Sequence, residues 1–103
     1  MGIRGTTKRI TIDNTVVAEK IFDVNPLREG YTLLADPSNG ANNIFIGFDD
    51  PAVLATGDKA GIRLQAGEQI AESPPSSFTG EIYAIASAGS PVLIVREDTK
   101  VDD

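Results

Sequence analysis

Turn-forming residues recur about every eight to twelve positions along this chain, which leaves no room for helices of ordinary length between them. Asp13-Asn14, Asn25-Pro26, the run from Asp36 to Asn43, Asp49-Asp50-Pro51, Ala66-Gly67 and Ala88-Gly89-Ser90-Pro91 are the clearest breaks. Between them lie short stretches in which apolar residues alternate with others, the period-two signature of strands. The expected fold is therefore all-β: an antiparallel β-sandwich or small jelly-roll-like barrel of about seven or eight short strands.

The strands can be placed individually. Ile10 and Ile12 share one face of a strand over Lys8–Asp13. The stretch from Thr15 to Val24 mixes β-formers with the helix-compatible Ala18-Glu19-Lys20; a strand bent near Ala18 is the preferred reading. Further strands are expected over Tyr31–Ala35, Ile44–Phe48, Ile62–Gln65, Glu68–Glu72, Gly80–Ser87 and Pro91–Arg96. Gly47 inside the Ile44–Phe48 strand marks a bulge or a close backbone approach. Asp50 and Pro51 suit the start of a short helical turn reaching Thr56. The last two strands carry apolar residues on both faces, which places them at sheet centres or against a neighbouring subunit. The run 73–77 is linker-like but short, and is expected to be a surface loop within one domain.

Composition narrows function. With 103 residues the chain suits one domain and one thin core. It has neither histidine nor cysteine, which removes disulfides, thiolate nucleophiles, histidine-based triads and the usual zinc sites. Its serines lack a base and a G-x-S-x-G elbow. Carboxylate pairs such as Glu81 with Glu68 or Glu72 have nothing in the sequence that unites them. Asp49, Asp50 and Asp58 do not have the spacing of a calcium loop and read as turn caps. The run 57–61 lacks the spacing of a phosphate loop. No enzyme, metal or cofactor is therefore expected. The net charge of −6 argues against a nucleic-acid partner, and the longest aliphatic run, Val92-Leu93-Ile94-Val95, is far short of a membrane span.

Charge is segregated toward the ends. Arg4, Lys8 and Arg9 stand among the first ten residues without an acid; Glu97, Asp98, Asp102 and Asp103 crowd the last seven around Lys100 alone. This divides the chain into a basic arm over 1–9, a sandwich over 10–97 and an acidic tail over 98–103. Met1-Gly2 with Thr6 fits the myristoylation pattern, although a plain glycine-containing arm accounts for the same residues. The aromatic residues sit among aliphatics, as core or contact residues do; Tyr31, Phe45 and Tyr83 are the candidates for contact between subunits.

From Leu27 to Glu97 the order of segments resembles small β-structured virion proteins of tailed bacteriophages. The segments are Asn42-Asn43-Ile44-Phe45-Ile46-Gly47, Gly61-Ile62-Arg63-Leu64-Gln65-Ala66-Gly67, Gly80-Glu81-Ile82-Tyr83-Ala84-Ile85-Ala86 and Val92-Leu93-Ile94-Val95-Arg96-Glu97. The loops at 36–43 and 73–77 are longer than that pattern needs, and residues 1–26 lie outside it. The resemblance implies a structural role, most concretely a capsid decoration (cement) protein made in the host cytoplasm. It would bind the major capsid protein on the shell's outer surface as a homo-oligomer, with a trimer the expected order. Arg4, Lys8 and Arg9 are the expected shell contacts. The alternative is a small carbohydrate- or ligand-binding module, disfavoured because no tryptophan is present for stacking on sugar rings.

Overall fold

The computed structural model describes residues 2–55, 57, 60–72 and 78–101, and they form two packed antiparallel sheets. The strands are β1 (Gly2–Thr11), β2 (Glu19–Phe22), β3 (Arg28–Ala35), β4 (Ile44–Phe48), β5 (Ile62–Leu64), β6 (Gln69–Glu72), β7 (Ile82–Ala86) and β8 (Val92–Val101). One sheet runs β1-β8-β3-β6 and the other β2-β7-β4-β5. First pairs with last, second with seventh, third with sixth and fourth with fifth. This is one long hairpin rolled on itself, the connectivity of a jelly roll. The all-β expectation holds, and the two strands expected at sheet centres, β7 and β8, each lie between two others.

Alternation builds the core. Ile44 and Ile46 of β4 face Ile82, Ala84 and Ala86 of β7; Leu33 and Ala35 of β3 and Leu93 and Val95 of β8 close over them from the other sheet. Tyr31, Phe48 and Phe78 extend this core toward one end, with Phe48 and Phe78 edge to face at 5.1 Å.

At two places the chain departs from regular alternation and turn chemistry. The β3–β8 register shifts between Arg28 and Gly30. Counting back from inward Tyr31, simple alternation would turn Arg28 out; the bulge turns it in, so Arg28 is 3% exposed and Leu27 is 55% exposed. No helix covers residues 51–55; a single turn, closed from Val53 N–H to the Asp50 carbonyl at 3.3 Å, stands in its place. Asp50 Oδ1 accepts from Ala52 N–H at 3.0 Å, but the chain then crosses the outer face of β4 and bridges Leu54 to Ala60. Buried Val53 is laid against Gly47, where a Cβ would sit 2.7 Å from that of Val53. Gly47 thus marks a close approach, and this packing draws the chain away after the single turn that Asp50 caps. The run 73–77 and Thr56 lie outside the described residues, as do Asp58 and Lys59 of the 57–61 loop.

Candidate functional site

The four strands that end the sheets differ sharply in length. β2, β5 and β6 have four, three and four residues, and the β2–β7 pairing carries a register shift. β1 has ten residues, pairs with β8 residue for residue from Gly2↔Val101 to Thr11↔Val92, and is exposed along nearly its whole length. Proteins usually keep their free edges short, bulged or interrupted by proline, because an open edge invites another strand. Here three edges follow that rule; β1 does not.

Beneath β1 the sandwich is open. A cleft of about 430 Å³ separates the β1–β8 edge from β2 and the residues after it. Ile10, Ile21, Phe22 and Val95 give it an apolar floor, and Thr6 and Lys8 of β1 form one wall. Asp23, Val24, Asn25 and Glu97 close one end.

That end is braced by Arg28, whose side chain is fully buried. Its Nε donates to Glu97 Oε2 at 2.8 Å, its Nη1 to the carbonyls of Phe78 and Gly80 at 2.8 and 2.9 Å, and its Nη2 to the Asp23 carbonyl at 2.7 Å. The guanidinium also stacks over the Phe22 ring at 5.0 Å. Asn25 adds bonds from Nδ2 to Glu97 and Thr99. A buried guanidinium is tolerable only when its donors are satisfied, and these partners come from three separate segments, 22–23, 78–80 and Glu97. Arg28 therefore ties the loop after β2 and the approach to β7 onto β3 and β8.

Charges around the cleft are unequally committed. Glu97 is paired with Arg28, and Asp23 with Lys20 at 2.8 Å. The hydrogen bond and charge of Lys20 hold the Asp23 carboxyl below its usual range, while Asp23 and then Glu81 raise Lys20. Lys8 and Arg4, by contrast, make no ion pair or side-chain hydrogen bond among the described residues.

The expected contact residues separate accordingly. Arg4, Thr6, Lys8 and Ile10 alternate onto the inner face of β1, and Arg9 falls on the outer face. There Arg9 pairs with Asp36, whose carboxyl is also held low, chiefly by the Ser38 N–H and then by Arg9. The residues expected as a free arm and tail instead form a two-stranded ribbon, since β1 begins at Gly2 and β8 runs to Val101; Met1, Asp102 and Asp103 lie outside the described residues. Tyr31 is not open to subunit contact. It points into the core at 3% exposure, and burial followed by a hydrogen bond to Glu72 raises its hydroxyl pKa. Phe45 and Tyr83 are half-buried on the outer face of the second sheet, diagonal to each other across β4 and β7, since Phe45 pairs with Ile85 and Tyr83 with Gly47. Burial, then Glu81, raises Tyr83.

The acids considered for chemistry make structural bonds, and Glu81 accepts from Lys20 and the Tyr83 hydroxyl. Asp49 Oδ1 accepts from Glu81 N–H at 2.8 Å, Glu68 Oε1 from Gln65 N–H at 2.7 Å, and Glu72 Oε1 from Phe78 N–H at 3.1 Å. Among the described residues no group of three or more acids is placed to hold a metal ion. Sequence reasoning missed Arg28, Asn25 and Glu97. The signal for Glu97 was polar alternation beyond Val95, in which Glu97 and Thr99 keep the inward parity of Leu93 and Val95. Compared with known proteins, the chain matches no family model, no curated protein and no solved structure.

Proposed function

We propose that this chain is a structural adhesion protein, most concretely a capsid decoration protein of a tailed bacteriophage that docks through β1 and stabilises the assembled shell. The observation that carries the reading is the one long, unprotected edge among the described residues, which presents Arg4 and Lys8 unpaired and Arg9 tied to Asp36 on its outer face. The order of segments from Leu27 to Glu97 supplies the virion context. Binding that spans neighbouring shell subunits stabilises the lattice by mass action, and a closed ring of copies multiplies a weak contact. Phe45 and Tyr83, on the opposite sheet from β1, are the assigned self-contacts, with a trimer as the expected ring.

Co-sedimentation with empty shells built from the capsid protein of the same genome tests this. Deleting residues 1–9 would strip β8 of its partner, so charge reversal is the cleaner probe. The wild type should pellet with shells, and the Arg4→Glu/Lys8→Glu double variant should stay in the supernatant with an unchanged unfolding midpoint. Wild-type protein left in the supernatant overturns the reading; a double variant that pellets like the wild type removes β1 from it.

A further inference from the structure

We infer that the free edge of β1 receives a ninth strand: an extended segment of a partner protein, acidic on its inward face, adds beside β1 and closes the cleft. The inference rests on the shell-docking role proposed for this chain, from which it takes β1 as the docking edge.

The backbone supplies the first part of the case. In an antiparallel pair, alternate residues turn their N–H and C=O groups away from the partner, so about five of the ten residues of β1 present theirs outward. Among the described residues none of these groups is bonded to another segment. An added strand would take up this row of donors and acceptors, with specificity left to alternate side chains.

Side chains supply the second part. Every other residue of a strand beside β1 would project over the apolar floor formed by Ile10, Ile21, Phe22 and Val95. Moving along β1, its inward neighbours would be Ile10, Lys8, Thr6 and Arg4. Asp23 and Glu97 are already neutralised by Lys20 and Arg28, which leaves Lys8 as the uncompensated charge in the cleft. The complementary inward pattern is an apolar residue beside Ile10 and an acid beside Lys8, with a second acid beside Arg4.

Charge also decides the occupant. A second copy pairing β1 with β1 would bring the unpaired Arg4 and Lys8 beside the same two residues of the other copy with no acid on either strand, an arrangement that like-charge repulsion opposes. An acidic segment of another protein meets no such opposition.

The test uses two capped synthetic peptides of about eight residues, with threonine at outward positions. Their inward positions read valine, glutamate, threonine, glutamate in one peptide and the reverse in the other, so that both strand directions are sampled. A third peptide carries lysine for glutamate. Each is titrated into the full-length, isotope-labelled protein and followed by amide shifts and hydrogen exchange. One glutamate peptide should shift β1 and residues 21–25 and slow exchange along β1, and the lysine peptide should bind at least about tenfold more weakly. Lys8→Glu should reverse that preference. Overturning results are the absence of β1 shifts with either glutamate peptide, equal affinity of the Lys8→Glu variant for the glutamate peptides, or β1 shifts driven by protein concentration alone, which would make a second copy the occupant. Peptide binding without shell binding defeats the shell reading and leaves this one standing. Shell binding that survives both saturating peptide and Lys8→Glu defeats this inference and leaves the shell reading intact.

Discussion

On one side of the sandwich β5 and β6 run into each other through Ala66–Gly67; on the other, β1 and β2 stand apart over a cleft. The closed side is stitched by its own turn. Gly67 N–H donates to the Ala35 carbonyl at 2.8 Å, Ala35 N–H to the Glu68 carbonyl at 2.9 Å, and Glu68 N–H to the Gln65 carbonyl at 2.9 Å. Gly67 has φ of +85°, a conformation glycine enters without the cost borne by other residues. Buried Leu64 fills the space behind it. The open side has no such turn. It is held at one end by a buried guanidinium and otherwise leaves a long strand with half its backbone unpaired. Apolar packing closes one side, while a polar brace keeps the other in shape without covering it.

The largest expected effect tests that brace. Arg28→Met removes four hydrogen bonds and leaves the Glu97 carboxylate without its counter-charge, with only Asn25 still donating to it, so stability should fall by about 3 kcal/mol in urea unfolding. The comparison is sharpened if hydrogen exchange accelerates first in residues 22–25, 78–81 and 97–99 while the β5–β6 turn stays protected. Uniform acceleration would mean that the two sides are not held independently.

The contrast between the sides also explains what could be read from the sequence. Strands on the core side announce themselves through isoleucine, leucine and valine at period two, and β4 to β7 fall within a residue or two of expectation. The ribbon of β1 and β8 was legible only in its apolar half, Ile10 to Ile12 and Val92 to Val95. Beyond that its inward positions are Thr6, Lys8, Glu97 and Thr99, and polar alternation looks the same in a strand as in a solvated end. Arg28 was hidden more thoroughly, since a bulge reverses parity and nothing in Pro26-Leu27-Arg28-Glu29 signals one. Tyr31 was grouped with Phe45 and Tyr83 as an aromatic among aliphatics, but it keeps the parity of Leu33 and Ala35 and so faces the core.

Leu64→Ala probes the closed side at the next magnitude. It leaves a cavity behind the turn and should cost about 2 kcal/mol, with the exchange pattern inverted relative to Arg28→Met. Identical patterns for the two variants would break the contrast between the sides.

Tyr31, buried opposite Glu72 of β6, gives the closed side a signature in pH. Its folded pKa lies above the ordinary value of 10.0, so only the unfolded chain readily ionises there. Its contribution to stability is therefore fully present below pH 10 and is lost as pH rises beyond it. Lys20, raised by Asp23, acts in the same direction from the exposed surface of the other side. Tyr31→Phe should change stability little at neutral pH, where the hydroxyl is uncharged in both states, yet flatten the decline above pH 10. Urea midpoints across neutral and alkaline pH measure both, and an alkaline decline unchanged by the substitution would place its origin elsewhere.

The smallest expected effect lies on the open edge itself. A Cβ at Gly5 would stand 2.8 Å from Asp98 Oδ1 and closer still to the Arg96 guanidinium, because the Arg96–Asp98 pair lies across the outer face of β1 at that point. Both side chains have solvent to move into, with Arg96 more than half exposed, and exposed pairs contribute little. Alanine also narrows the unfolded ensemble, which offsets the displaced pair. Gly5→Ala should therefore leave stability within about 0.5 kcal/mol of wild type and should not disturb docking along β1, since its methyl falls on the face away from the cleft. A much larger loss in urea unfolding would show that the outer face of β1 is structurally committed. The open side would then owe its form to the Arg96–Asp98 pair as well as to Arg28.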